Sequence, residues 1–255
     1  MHAPTDVHNM LAALATESRA TLGGNLVGVY VRGSLALGDF IPETSDVDAL
    51  AVTERPTSEA EFAALVTAHG RLATLSNPYA RRFEVAYIDR AALWRFQPGL
   101  RHPSLGQGET LAWAEHRENW VVERWVVREH GITLTGPDPR ALIGPISAEE
   151  LRAAVRARLL DWGAWAAAPD NPEWLPVRSH QAYAVETMCR GLCTLATGEL
   201  PSKARGIAWA LAALPEPWHA TVERAAAGRA DTGLDPAAVA EVLRFVTWAA
   251  TGDEH

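Results

Sequence analysis

Two kinds of hydrophobic period divide the chain. Up to about residue 136, short apolar runs interleaved with helical spacings predict strands alternating with helices; beyond that point only the helical period persists. Val7, Met10, Leu11, Leu14 and Leu22 fall on one helical face, and Gly23-Gly24 ends that helix. Leu26–Arg32 (LVGVYVR) reads as a buried strand broken by Gly33, and Asp46–Thr53 (DVDALAVT) as a second. Ser58 and Glu61 have the spacing of a capping box, with Phe62, Leu65 and Val66 on one face of the helix they open. Phe83–Ile88 alternates, with Phe83, Val85 and Tyr87 on one face and Glu84, Ala86 and Ile88 on the other. The pattern then predicts one long amphipathic helix over Glu109–His130, stopped by Gly131, and a short strand at Ile132–Thr135.

Pro137, Pro139 and Pro145 punctuate the chain and mark a boundary. Ser147 and Glu150 form another capping-box spacing, before a helix through Ala167. Residues 180–197 predict a second helix stopped at Gly198, and Ser202 opens a third ended by Pro215 and Pro217. Asp235-Pro236 has the order of an N-cap and first turn, opening a last helix to about Ala250.

The 255 residues suit two modest domains, and 48% apolar with 21% charged residues excludes wholesale disorder. No apolar run reaches the ~18 residues of a membrane-spanning helix, and the N-terminal segment, with Asp6 and Glu17, lacks the basic-then-apolar order of a secretory signal. Two cysteines, Cys189 and Cys193, make neither a disulfide framework nor an all-cysteine metal site, which points to a reducing, cytoplasmic setting. A balance of 23 basic and 31 acidic residues, net −8, argues against a nucleic-acid partner and suits a cationic one. The charge and helical surface fit a monomer or a weak dimer, and a monomer is the expected state.

Candidate chemistry concentrates in one stretch: Val29-Tyr-Val-Arg-Gly33-Ser34, then Gly38-Asp39, then Ser45-Asp46-Val47-Asp48. A strand ending in Gly-Ser lets backbone N–H groups approach an anion and adds a hydroxyl donor; a helix N-terminus just after it would strengthen such a site. Asp46 and Asp48 alternate along a strand, so both carboxylates leave the same face. With no Lys or Arg between them they repel unless a cation intervenes, and hard oxygens are what Mg²⁺ selects. Glu84, on a later strand, is the candidate third carboxylate. Asp-x-Asp or Gly-Ser alone is usually a turn or a solvated strand edge; the whole order is far more specific. Arg32, just before Gly-Ser, is read either as a core residue or as a phosphate neighbour.

Gly33-Ser34 with Asp46-Val47-Asp48 resembles the nucleotidyltransferase motif of the DNA polymerase β-like superfamily. The chain as a whole is similar to the aminoglycoside (3'')(9) adenylyltransferases, which modify streptomycin and spectinomycin. Thr187-Met-Cys-Arg190, Leu195-Ala-Thr-Gly-Glu199, Pro201-Ser202-Lys203 and Ala208-Trp209-Ala210 carry the resemblance through the second half.

The resemblance implies an α+β fold: a nucleotidyltransferase domain over 1–146 with a mixed β-sheet flanked by helices, then an all-α helical-bundle domain over 147–255 that binds substrate and nucleotide. It implies ATP as co-substrate, two Mg²⁺ ions and a cationic antibiotic as acceptor. Asp46, Asp48 and Glu84 would bind metal, and Glu84 would also be the general base. Gly33, Ser34, Ser45, Arg190 and Lys203 would join Asp46 and Asp48 in holding the nucleotide. The family places a Trp early in the long helix of the first domain, for which Trp113 is the counterpart. Where the family carries acidic residues at the start of a helix in the second domain, this chain has His180 and Gln181. Asp170, Glu173 and Glu186 lie nearby as substitutes, and Trp174, in a Pro-rich loop, is the tryptophan most exposed to function rather than packing. A chain of the same fold acting on another small molecule or on a protein is the alternative expectation.

Overall fold

Apolar residues at helical spacing make Thr5–Leu22 the first helix, α1, with Val7, Met10, Leu11, Leu14 and Leu22 all buried. The computed structural model to which it belongs describes residues 4–251, and the chain divides between Ile146 and Ser147 into two compact units. In the first unit, α1 leads to strand β1 (Leu26–Val31), a single helical turn α2 (Gly33–Ala36), and strand β2 (Val47–Thr53). Helix α3 (Glu59–Leu72) then crosses to β3 (Phe83–Asp89), and its Ser58–Glu61 capping box is formed reciprocally. Helix α4 (Arg90–Trp94), strands β4 (Arg101–Leu105) and β5 (Ala112–Glu115), helix α5 (Asn119–His130) and strand β6 (Ile132–Thr135) complete the unit.

Among the described residues, six strands form one mixed sheet in the order β5-β4-β3-β2-β1-β6. Strands β2 and β3 run parallel and the other neighbours antiparallel. The alternation read along 83–88 is realised across the sheet. Phe83, Val85 and Tyr87 join Val29, Ala49 and Leu65 in the core beneath α1 and α3. Ala86 and Ile88 join Tyr30, Leu50 and Val127 in a second core on the opposite face, beneath α4 and α5.

The single helix expected over 109–130 is not formed. Residues 101–105, whose pattern gave no strand signal, provide an edge, and Ala112–Glu115 pairs along it from Arg101↔Glu115 to Ser104↔Ala112. A ladder already available next door outweighs helical periodicity over so short a segment, and the helix begins only at Asn119.

The second unit is helical throughout: α6 (Ala148–Ala167), α7 (Arg178–Thr197), α8 (Lys203–Ala213), α9 (His219–Gly228) and α10 (Val239–Thr251). Helix α7 is central, packing against each of the other four, and it ends where Gly198 adopts the left-handed conformation at φ 79°. Helix α9 was not foreseen, because Pro215 and Pro217 read as a stop. Pro217 instead lies in a 3₁₀ turn, Glu216–Trp218, that feeds directly into α9, a first-turn position where its missing N–H costs nothing.

Candidate active site

The acids of the motif converge because two strands share a register. Asp48 on β2 stands directly opposite Glu84 on β3 in the parallel ladder, so both side chains leave the sheet face covered by α4 and α5. Asp46 lies one residue ahead of β2, separated from Asp48 by the fully buried Val47. It comes within 3.9 Å of Arg82 and close enough to Glu84 to push that carboxyl up. Burial is the larger cause of the raised Glu84 pKa. Arg32 and a backbone N–H from Gln107 act in the opposite direction.

Gly33 makes this geometry possible. Its φ is +64°, and a Cβ built there would lie 2.0 Å from Asp48 Oδ2, so the turn closes over the carboxylate only without a side chain. Ser34 follows in the same turn. The helix that opens there, α2, is only four residues long, so the dipole support the sequence suggested is slight. Ser45 turns its hydroxyl to accept from the Ile41 N–H at 2.9 Å, while its carbonyl accepts from Arg82 at 2.6 Å. It shapes the loop that delivers Asp46.

Of the two readings of Arg32, the structure shows it buried and turned toward these acids. Arg32, only 8% exposed, extends its guanidinium between them: 3.4 Å from Asp48, 3.5 Å from Glu84 and 2.7 Å from Glu123 on α5. Its Nε donates to the Ala49 carbonyl at 3.3 Å, and its guanidinium lies 5.5 Å over the Trp120 ring. Arg32, Glu123 and Trp120 thus belong to the site. Glu123 and Trp120 carried no signal in sequence, since one acid and one aromatic three residues apart on a helix read as surface and packing.

Three carboxylates of hard oxygen are the donor chemistry Mg²⁺ takes, so the residues fit that ion in kind. Among the described residues no three His, Cys, Asp or Glu side chains are gathered as a ready ligand cluster; Arg32 supplies the neutralising charge within the group.

Trp113 is not at the start of a helix but on edge strand β5. It stacks on Phe62 of α3 with ring centroids 5.2 Å apart, on the sheet face opposite Glu84. There it lines a 270 Å³ cavity with Tyr87, Asp89 and His102, at the end of β3 away from the acids.

In the helical unit the expected residues separate into two groups. Trp174 stacks on His180 at 4.6 Å, His180 Nδ1 donates to the Trp174 carbonyl at 2.7 Å, and Trp162, Trp165 and Tyr183 surround them. Asp170 joins this group by accepting from the Trp165 indole at 3.2 Å. Gln181 does not join it: it is buried and its amide donates to the Asp235 carbonyl at 2.7 Å. Glu186 is also turned inward, with a 2% exposed carboxylate paired to Arg229 at 2.7 Å and to Lys203 at 3.5 Å. Lys203 lies 4.8 Å over the Tyr183 ring, and Arg190 donates to the Pro201 carbonyl at 3.0 Å, beside the start of α8.

Residues 15–96 match the family described as nucleotidyltransferase domain, and residues 141–249 the family described as aminoglycoside adenylyltransferase, C-terminal domain. Spectinomycin 9-adenylyltransferases of Staphylococcus aureus strains Mu50 and N315 are each 24% identical over 218 residues, covering 76% of this chain and 74% of theirs. A crystal structure of spectinomycin adenyltransferase AAD(9) from Enterococcus faecialis with ATP and spectinomycin has the same fold. The TM-score is 0.74 at 15% identity, over 96% of this chain and 99% of that one. The matched nucleotidyltransferase domain, which contains the glycine turn and both strand acids, makes the protein a nucleotidyltransferase. In the order of the chain, a nucleotidyltransferase domain is thus followed by a region matching the C-terminal domain of aminoglycoside adenylyltransferases.

Proposed function

We propose that the protein transfers AMP from ATP to a hydroxyl of spectinomycin, of streptomycin or of both, so conferring resistance. The observation that carries this reading is the Asp48–Glu84 register pair beneath Gly33. Nucleotidyl transfer asks for positioning and charge neutralisation more than for covalent chemistry. Asp46 and Asp48, with Glu84 beside them, would hold Mg²⁺, two ions in the full complement, which supply charge stabilisation at the attacking and leaving oxygens. Glu84 takes the proton of the drug hydroxyl; its raised pKa brings it nearer the working range of a general base. Gly33 and Ser34 offer backbone and hydroxyl donors to the triphosphate; in the helical unit, Lys203 and Arg190 are cations of the kind a phosphate takes. Trp174, His180 and Asp170, within an aromatic cluster, suit the flat or cationic groups of an aminoglycoside.

Incubation with ATP, Mg²⁺ and each drug should release pyrophosphate and add one AMP, read by mass spectrometry of the products. Absence of product across an aminoglycoside panel would reject the antibiotic acceptor. Glu84→Gln is expected to lower kcat by roughly 10²–10⁴ while ATP still binds. Asp48→Asn should weaken nucleotide and metal binding instead.

A second reading keeps the transfer and changes the acceptor. It is favoured by the inward turn of Gln181 and Glu186, which leaves Asp170 and the exposed Glu173 as the acids of the expected drug set outside the ion cluster. Thermal stabilisation by ATP and Mg²⁺ but by no drug, with AMP labelling of a protein, would support it.

A further inference from the structure

Arg32 is seated by groups other than the proposed metal ligands. Its closest contact is Glu123, at the 2.7 Å of a charge-assisted hydrogen bond, whereas Asp48 and Glu84 stand off at 3.4 and 3.5 Å. Nε is tied to the Ala49 carbonyl at 3.3 Å, and the guanidinium lies over the Trp120 ring. Trp120 and Glu123 are three residues apart on α5, so one face of that helix presents both to Arg32. Trp120 is fixed in its turn. The buried His116 ring stacks flat on it, centroids 3.8 Å apart, and His116 Nε2 shares a hydrogen bond with Ser104 Oγ of β4 at 3.0 Å. Withdrawing the guanidinium from this seat would strand the part-buried Glu123 carboxylate, and breaking such a pair is strongly unfavourable. Any second cation that reaches the acids therefore meets a fixed positive charge a few ångströms away, and the two repel strongly where water is scarce.

We infer that Arg32 is a resident cation that lowers the affinity of Asp46, Asp48 and Glu84 for a free divalent ion, so that these acids take the ion far better with a nucleotide than without one, and that Glu123 is the positioning residue that holds Arg32 in place. The inference rests on the proposed metal role of the three acids and deepens it. A triphosphate brings negative charge that offsets the guanidinium; an ion arriving alone brings no such offset. Glu123 draws the guanidinium toward α5 and keeps it from closing on Asp48 and Glu84.

Titration of the full chain with Mn²⁺ tests this without turnover: the ion takes the same oxygen ligands as Mg²⁺, and its free form is read by electron paramagnetic resonance. Without nucleotide, Arg32→Gln should bind Mn²⁺ at least about tenfold more tightly than wild type, the scale of removing one charge roughly 4 Å away. Arg32→Lys keeps the charge and should stay within about threefold of wild type. With a nonhydrolysable ATP analogue present, the gap between wild type and Arg32→Gln should also shrink to about threefold or less. Because Arg32→Gln leaves Glu123 without this cation, the paired variant Arg32→Gln/Glu123→Gln guards against a folding defect. It keeps the net charge, replaces the ion pair by two amides, and should still bind free Mn²⁺ several-fold more tightly than wild type. Free Mn²⁺ affinity unchanged or lowered in Arg32→Gln would overturn the inference. So would a paired variant that binds less tightly than wild type, since Glu123 would then be a ligand of the ion and not the seat of Arg32. Asp48→Asn separates this from the underlying reading: with the analogue present it should weaken Mn²⁺ binding whatever Arg32 does, and if it does not, the metal role of the acids is wrong as well.

Discussion

Gly33 and Asp48 compete for one small volume, and the site exists because glycine yields it. Gly33→Ala places a methyl group 2.0 Å from Asp48 Oδ2 at a φ of +64°, so either the turn or the carboxylate must move. A displacement of about 1 Å at a catalytic group costs on the order of 10² in rate, and that loss of kcat is the expected outcome. A variant with wild-type turnover would refute the close-approach account. His69 carries a different consequence. It is buried on α3 against Tyr87, 2.8 Å from the phenol oxygen, and burial holds its pKa down to about 4. The unfolded chain takes up this proton near pH 6.5, the folded chain only near 4, so stability is lost as pH falls through that window. From pH 7 to pH 5 the loss is on the order of 1–2 kcal/mol. Urea unfolding at both values, on wild type and His69→Gln, checks it: the variant should lose less between them.

The helix starts were legible at the level of elements because a capping box is local chemistry. Ser147 accepts from the Glu150 N–H while the Glu150 carboxylate accepts from the Ser147 N–H at 2.8 Å. Ser147→Ala should therefore cost about 1 kcal/mol of stability in urea unfolding without changing KM for ATP. The β4–β5 hairpin was not legible, because pairing between 101–105 and 112–115 is decided by the partner edge rather than by either segment. That miss put Trp113 on a helix when it lies on the edge strand β5. Trp113→Ala, on the face opposite Glu84, is expected to lower the melting temperature through its lost Phe62 stack while kcat stays within about twofold. Trp120→Ala, beneath the Arg32 guanidinium, is expected to lower kcat. Equal effects on kcat would contradict the division of faces.

For the whole molecule, the net charge of −8 and the carboxylate-lined site would make attraction of the proposed cationic acceptor long-ranged and open to screening. The KM for spectinomycin should rise several-fold between roughly 0.05 and 0.5 M salt, and a flat dependence would show that local contacts alone hold the drug. Among the described residues no helix is long and apolar enough to cross a membrane. The sequence by itself determined the two kinds of secondary structure, the helix caps, the alternation of β3, and the order Gly-Ser, Asp-x-Asp, Glu that marks the chemistry. All of these depend on residues a few positions apart, where propensity and spacing act directly. Only the tertiary structure decided that Arg32 and Glu123 stand among the acids, that Trp113 faces away from them, and that Glu186 is buried and paired with Arg229 and Lys203. Each depends on which distant segment lies alongside, and the Coulomb energy of a charge is set by those neighbours and by the water they exclude.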